Sequence, residues 1–282
     1  MSKVQNNISL ILRINLAVIS ALNLLFTPTV YATGELLVSP TRVIFEKHTR
    51  TASVSIVNAG NETSTYRIQF VERRMTAEGG FEGVKQARPG EQFSSKMIRF
   101  SPRQVTLQPG QSQAIRLMLR KPANLADGEY RSHMLFRAIP KSSTSSVDKL
   151  TGGKSISIKL TPIMGISIPV IVRHGQASAT IQVEKLRYYA KTSSVLFDLK
   201  RDGNASIYGD ITILFKDKNG QSTVLRKING LAIYTPNTSR RMSVNVQPPA
   251  GAKIKNGTLT VLYHQSKEAG GRLITQHSVD IP

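Results

Sequence analysis

The sequence has no cysteine and no tryptophan, and aromatic residues fill only 6% of its 282 positions. Without cysteine the chain can hold no disulfide framework, no thiolate zinc site and no iron–sulfur cluster, and it offers no thiol nucleophile. Acidic residues are scarce as well: 17 Asp and Glu stand against 38 Lys and Arg, a formal charge of +21. What remains is 40% hydrophobic, which is too apolar for a compositionally disordered chain and enough for one large or two ordinary cores.

The N-terminal 32 residues predict a cleaved secretory signal peptide. Lys3 and Arg13 supply positive charge, and residues 14–26 (INLAVISALNLLF) form an apolar segment. Val30-Tyr31-Ala32 places small residues at the −3 and −1 positions of a cleavage site. The apolar run is shorter than the ~20 residues of a spanning helix, so a mature chain starting near Thr33 is expected. A secreted, Lys-rich chain without cysteine suits a bacterial envelope better than a eukaryotic secretory route, where small domains lean on disulfides.

Beyond residue 33 helical periodicity is nearly absent, and strand alternation recurs between Gly, Pro, Asn and Ser. Strands are expected at 36–45, 52–58, 65–72, 96–101, 113–120, 129–139 and 155–173, and again at 177–189, 194–201, 207–217, 222–228, 240–246, 258–264 and 273–280. Asn58-Ala59-Gly60-Asn61 and Gln108-Pro109-Gly110-Gln111 read as turns. Asp202-Gly203, Asn219-Gly220, Asn229-Gly230 and Asn256-Gly257 read as turn or hairpin dipeptides. Seven short strands per set fit an immunoglobulin-like sandwich. The fold class is therefore all-β: two immunoglobulin-like β-sandwich domains, 33–174 and 175–282, at an angle across an interdomain cleft. Two stretches break the rhythm, a Gly-rich excursion at 75–90 and a Ser/Thr/Gly-rich loop at 141–154.

The strand at 155–173 carries more apolar surface than one sandwich can cover. Every even position from Ile156 to Val172 is apolar, whereas the odd positions are mostly polar, Gly or Pro. Side chains alternate faces at ~3.3 Å per residue, so a single apolar face would run for roughly 55 Å, against about 17–20 Å for an ordinary strand. Either the strand bends to serve two sheets or breaks at Pro162 or Pro169, or it is an edge whose apolar row awaits another chain.

These residues resemble the periplasmic pilus-assembly chaperones of the PapD-like family. Ser39-Pro40-Thr41-Arg42-Val43-Ile44-Phe45 is similar to the family's first strand, and Val54-Ser55-Ile56-Val57-Asn58 to its second. Phe100-Ser101-Pro102, Leu107-Gln108-Pro109-Gly110-Gln111 and Ile115-Arg116-Leu117 follow in the family's order. Gly128-Glu129-Tyr130-Arg131-Ser132-His133 through Arg137-Ala138-Ile139-Pro140 resembles its sixth strand. The resemblance implies donor-strand complementation, a recurring mode in which a chaperone strand completes an incomplete pilin sandwich. On this likeness Ile156, Ile158, Leu160, Pro162, Met164 and Ile166 are the donor residues. It further implies that the partners are pilus or fimbrial subunits, which such a chain would cap and pass to an outer-membrane usher.

The resemblance also implies that Arg42 binds the subunit's C-terminal carboxylate in the cleft. A lysine on the seventh strand would accompany it, but Pro169 stands in that place, so Arg131 on the neighbouring sixth strand is the expected substitute. Lys159 shares the odd face yet lies about ten residues upstream. The exposed row also gives two free copies a way to cap each other as a homodimer.

Other classes find little support. The five histidines have no metal-ligand spacing, and neither a Gly-x-Ser-x-Gly elbow nor a phosphate loop is present, so no catalysis, metal or cofactor is expected. The basic residues are spread, with only the pairs Arg73-Arg74, Arg120-Lys121 and Arg240-Arg241, and lack aromatic interleaving; nucleic-acid binding is not expected. The alternative is a secreted immunoglobulin-like adhesion or binding module that keeps its long strand paired internally.

Overall fold

The computed structural model describes residues 36–140, 165–248 and 254–282. The expected signal peptide, the loop at 141–154 and the donor positions Ile156, Ile158, Leu160, Pro162 and Met164 lie outside the described residues, as does Lys159.

Among the described residues eighteen strands follow in order. The first eleven are β1 (Leu36–Ser39), β2 (Val43–Phe45), β3 (Thr51–Asn58), β4 (Ser64–Val71), β5 (Arg73–Met75), β6 (Phe81–Gly83), β7 (Ile98–Ser101), β8 (Gln104–Leu107), β9 (Ser112–Leu119), β10 (Gly128–Ile139) and β11 (Gly165–His174). The remainder are β12 (Ala179–Tyr189), β13 (Ser194–Gly203), β14 (Ile207–Asp217), β15 (Ser222–Ile233), β16 (Ser239–Asn245), β17 (Gly257–Gln265) and β18 (Leu273–Ile281). Sheets of order β1-β3-β9-β7 and β2-β11-β10-β4-β8 form the first sandwich; β12-β13-β16 and β15-β14-β17-β18 form the second. Hairpin β5–β6 stands apart.

Alternation builds both cores. In the first, Phe45, Val54, Ile56, Tyr66, Ile115 and Phe136 are buried together. In the second, Val195, Phe197, Leu199, Ile211, Ile213, Val261 and Tyr263 are buried. A third, smaller cluster joins Met75 and Ile171 to Ala232 and Tyr234, with Ile44 and Tyr208 packed against it. It draws on both sandwiches and bonds them through apolar contact.

Several expectations need correction. The strand expected at 36–45 is two strands in different sheets: β1 pairs antiparallel with β3, and β2 pairs parallel with β11. Pro40, lying between them, offers no N–H to a ladder, so the chain crosses from one sheet to the other there. The Asn229-Gly230 dipeptide is not a turn. Strand β15 runs through it, with a register shift against β14. Gly230 takes φ +72°, the left-handed conformation of a bulge residue, and its N–H bonds Asp210 Oδ1 at 2.8 Å. Strand β8 and hairpin β5–β6 were not expected, because runs of three or four residues show too little alternation to read.

The apolar row of the seventh strand divides. Ile168, Val170 and Val172 belong to the first core, so this end of the row serves its own sandwich. Ile166 is 37% exposed. Strand β11 continues through Pro169, which lies opposite His133 of β10. On its other side β11 pairs with β2 only at Val170, Ile171 and Val172. Among the described residues, then, Pro169 sits where the outer edge has no neighbour, the position in which a missing N–H costs least.

Candidate functional site

Arg42 emerges where the chain crosses between sheets, immediately before β2. Its guanidinium carbon lies 3.9 Å from the centroid of the Tyr208 ring and 5.9 Å from that of Tyr234. Both tyrosines come from the second sandwich, so the cation is held between domains by ring faces. Its Nε and Nη2 are buried without a hydrogen-bond partner. Buried donors of a charged group are normally paired; Arg73, Arg131 and Arg240 each also bury one unpartnered Nε.

Arg131 projects from β10 opposite Ile171 and is only 5% exposed. Its Nη1 donates to the Arg73 carbonyl at 3.2 Å and its Nη2 to the Thr235 carbonyl at 3.4 Å. Its guanidinium carbon lies 4.4 Å from the Tyr234 centroid. The two expected anchors thus share one ring. Burial pulls the Arg131 pKa down, opposed by Tyr234 and Glu129, and burial pushes that of Tyr234 up, so the phenol stays neutral. His133 Nδ1 sits 3.4 Å from Arg131 Nη1, and Phe81 packs edge-on against the His133 ring at 5.1 Å.

A second network ties the domains beside this cluster. Glu129, whose side chain has no exposure, receives Arg173 Nε at 3.2 Å. It also accepts the Ser206 N–H at 3.0 Å and the Ser206 hydroxyl. Arg173 reaches Glu46 at 3.4 Å and donates to the Ser206 carbonyl at 3.2 Å. Between the sandwiches opens a cleft of about 810 Å³, lined by Arg42, Arg173, Ser206, Tyr208, Arg272 and Ile274 among others. Arg42 lines this cleft; Arg131 does not.

Residues 35–176, half of the chain, match the family model described as the pili and flagellar-assembly chaperone, PapD N-terminal domain. The chain belongs to this chaperone family. Among solved structures, the chaperone shares 10% identity and a TM-score of 0.45 with the CupB2 chaperone of Pseudomonas aeruginosa, over 87% of this chain and 100% of that one. It shares 14% identity and a TM-score of 0.42 with the E. coli chaperone DraB, over 88% and 97%. For the CsuC–CsuE chaperone–tip adhesion subunit pre-assembly complex of Acinetobacter baumannii the values are 13% and 0.41, over 74% and 90%. No curated protein sequence matches the chain.

Of the site residues expected from the chaperone's sequence, the structure brings Arg42 and Arg131 to Tyr234 and leaves Ile166 on the exposed part of β11; the other five donors are outside the described residues. Sequence reasoning missed Tyr208, Tyr234, His133 and Phe81. Each is a single residue on a strand or strand end, drawn from distant parts of the chain, and carries no local pattern. Among the described residues no group of three or more His, Asp or Glu could hold a metal ion.

His133 gives a pH signature. Burial, with Arg131 and Arg73 adding to it, lowers its pKa to about 3 from the ordinary 6.5. The folded imidazole therefore stays neutral while the unfolded one takes a proton as pH falls below 6.5. Stability from this group is intact above 6.5 and is lost progressively towards pH 3. Between pH 7 and 4.5 the loss from His133 is about 2–3 kcal/mol at 1.36 kcal/mol per pH unit. Urea unfolding at both pH values should show a smaller loss for His133→Gln than for the parent; equal losses would mean that the folded imidazole is charged.

Proposed function

We propose that this chaperone captures incomplete pilus subunits in the periplasm by lending them residues 156–166 of its seventh strand, and passes them to an outer-membrane usher. Residues 1–32 act as the cleaved signal, and the domains divide at His174 and Gly175. Ile156, Ile158, Leu160, Pro162, Met164 and Ile166 fill the subunit's open groove. Arg42, with Arg131 as second cation, holds the subunit's terminal carboxylate.

The observation that carries this reading is the division of β11. Its inner apolar residues are buried in the chaperone's own core. Ile166, the next along the same row, is turned out to solvent, beside an edge that β2 leaves unpaired at Gly165–Pro169 among the described residues. The carboxylate anchor draws its support from the two unpartnered, buried donors of Arg42. An Arg fork meets a carboxylate with charge-assisted hydrogen bonds. Arg131 adds its charge from the other side of Tyr234.

Affinity for a subunit purified in complex with the parent tests the anchor. Hydrogen bonds to charged groups contribute ~1.5–3 kcal/mol, so Arg42→Ala should weaken capture by about tenfold to a hundredfold, at 1.4 kcal/mol per decade. Arg131→Ala should weaken it less. Unchanged affinity at matched thermal stability would remove the corresponding residue from the anchor.

A further inference from the structure

We propose that hairpin β5–β6 with its turn is an interdomain brace: it sets the angle between the two sandwiches and so positions Arg131 behind the carboxylate anchor. The positioning role rests on the anchor reading above; the brace itself does not.

The connection from Val71 to Ile98 is far longer than the ~4–6 residues that commonly join strands. Its length is spent on contacts with the other domain. Three successive carbonyls in and just after β5 are claimed by the second sandwich. Asn237 Nδ2 donates to the Met75 carbonyl at 2.9 Å and to the Thr76 carbonyl at 3.4 Å, and the Arg241 N–H donates to the Ala77 carbonyl at 2.8 Å. Met75 is 4% exposed and packs with Ile171, Ala232 and Tyr234 in the apolar cluster that both sandwiches share. Phe81 leans on Tyr234 with centroids 6.0 Å apart.

Gly79, at the turn, has φ +89°, and a Cβ there would fall 2.1 Å from Arg240 Nε. Only glycine fits both the backbone conformation and the space. Arg240 is in turn fixed by a 2.8 Å bond from its Nη1 to the Ala232 carbonyl.

The other end of the brace is fastened to the first sandwich. Arg74 Nη2 donates to Glu91 Oε2 at 2.8 Å, and the same carboxylate oxygen accepts the Arg88 N–H at 2.8 Å. The Gln92 carbonyl receives the Arg131 N–H at 2.8 Å. From β5 the Arg73 carbonyl receives Arg131 Nη1, and from the second sandwich the Thr235 carbonyl receives Nη2. The guanidinium is therefore gripped from both domains. A change of angle that separates Arg73 from Thr235 must release one of its bonds.

The absence of cysteine makes the test direct, because two introduced thiols are the only labelling sites. Gln108→Cys and Lys218→Cys, both on exposed turns in different sandwiches, would carry spin labels in the full chain. Electron double-resonance distances would be recorded for the parent, for Asn237→Ala and for Gly79→Ala. The parent should give one narrow distribution. Each variant should at least double its width and weaken subunit capture about tenfold or more. A width unchanged in both variants overturns the brace. A widened distribution with undiminished capture overturns the positioning of Arg131. Leu160→Asp on the same labelled background separates the two readings, since it should lose subunits with distances unaltered. Capture that survives Leu160→Asp would sink the donor-strand reading and leave the brace to be judged on the distances.

Discussion

Leu160→Asp is expected to abolish capture of pilus subunits while leaving the chaperone folded. Filling a groove pocket with one leucine contributes ~1.5–3 kcal/mol by the area it removes from water. Aspartate forfeits that contribution. It also brings into an apolar groove a carboxylate with no partner, whose desolvation costs several kcal/mol even after relaxation. At 1.4 kcal/mol per decade, affinity should fall by at least about a hundredfold. The measurement is co-purification of the tagged protein from the periplasm of its own host, parent beside variant. Small β-rich proteins should accompany the parent and be missing from the variant. If the same partners remain with Leu160→Asp, the long strand is internal and an adhesion-type module becomes the better account. Leu160→Met separates shape from polarity: it keeps the apolar character at similar volume, and it should retain most of the affinity.

Glu129→Ala is the second large effect, and it falls on stability. The carboxylate is buried and serves Arg173 and both donors of Ser206. Its removal leaves the Ser206 N–H without an acceptor in a site that has no exposure, and strips Arg173 of its buried counter-charge. Breaking a buried pair from one side costs ~3–5 kcal/mol. Arg173 retains Glu46 and the Ser206 carbonyl, which places the loss near the lower end, about 3 kcal/mol. For a chain of this size that corresponds to roughly 6–12 °C in melting temperature. Glu129→Gln keeps one acceptor oxygen for the Ser206 N–H but loses the charge and turns the other oxygen into an NH2 donor, so it should melt between the two. A Glu129→Ala protein that melts with the parent would mean the network contributes no net stability.

Much of the fold was legible because it depends on local signals. Strict alternation marked β3, β9, β13 and β17 to within a residue or two, since one face of each is buried and register is thereby imposed. The Asn219-Gly220 dipeptide fell in the turn between β14 and β15 as expected, with Gly220 at positive φ, whereas Asp202-Gly203 is the paired end of β13, opposite Thr180 and Ala179. Signals that belong to the sheet rather than the segment were not legible. Nothing local distinguishes Gly230 as a bulge from a turn; the difference lies in whether β14 continues alongside. The same holds for Pro40, whose neighbours alternate as one strand although they pair with different sheets.

The site divides in the same way. Arg42 could be singled out because it sits in an ordered string of familiar residues. The tyrosines that hold it belong to the other sandwich, and their closeness is a property of the interdomain angle. Arg73-Arg74 and Arg240-Arg241 read as surface charge pairs. In the structure Arg74 is clamped by Glu91, Arg73 lends its carbonyl to Arg131, and Arg240 fills the space above Gly79. Excess charge in a composition does not say which cations have been drawn inward.

The parallel pairing of β2 with β11 bears on the order of events during folding. Residues 43–45 must wait for residues 170–172, so this contact closes a loop of more than a hundred residues and is entropically late. Arg42 is fixed only when β2 docks, and the outer edge of β11 is defined by the same event. A copy whose first sandwich is not yet closed therefore has neither β2 in place beside Arg42 nor a bounded outer edge on β11. On the proposed function, a copy would be ready for a subunit only after this contact has formed and the second sandwich has brought Tyr208 and Tyr234 to Arg42.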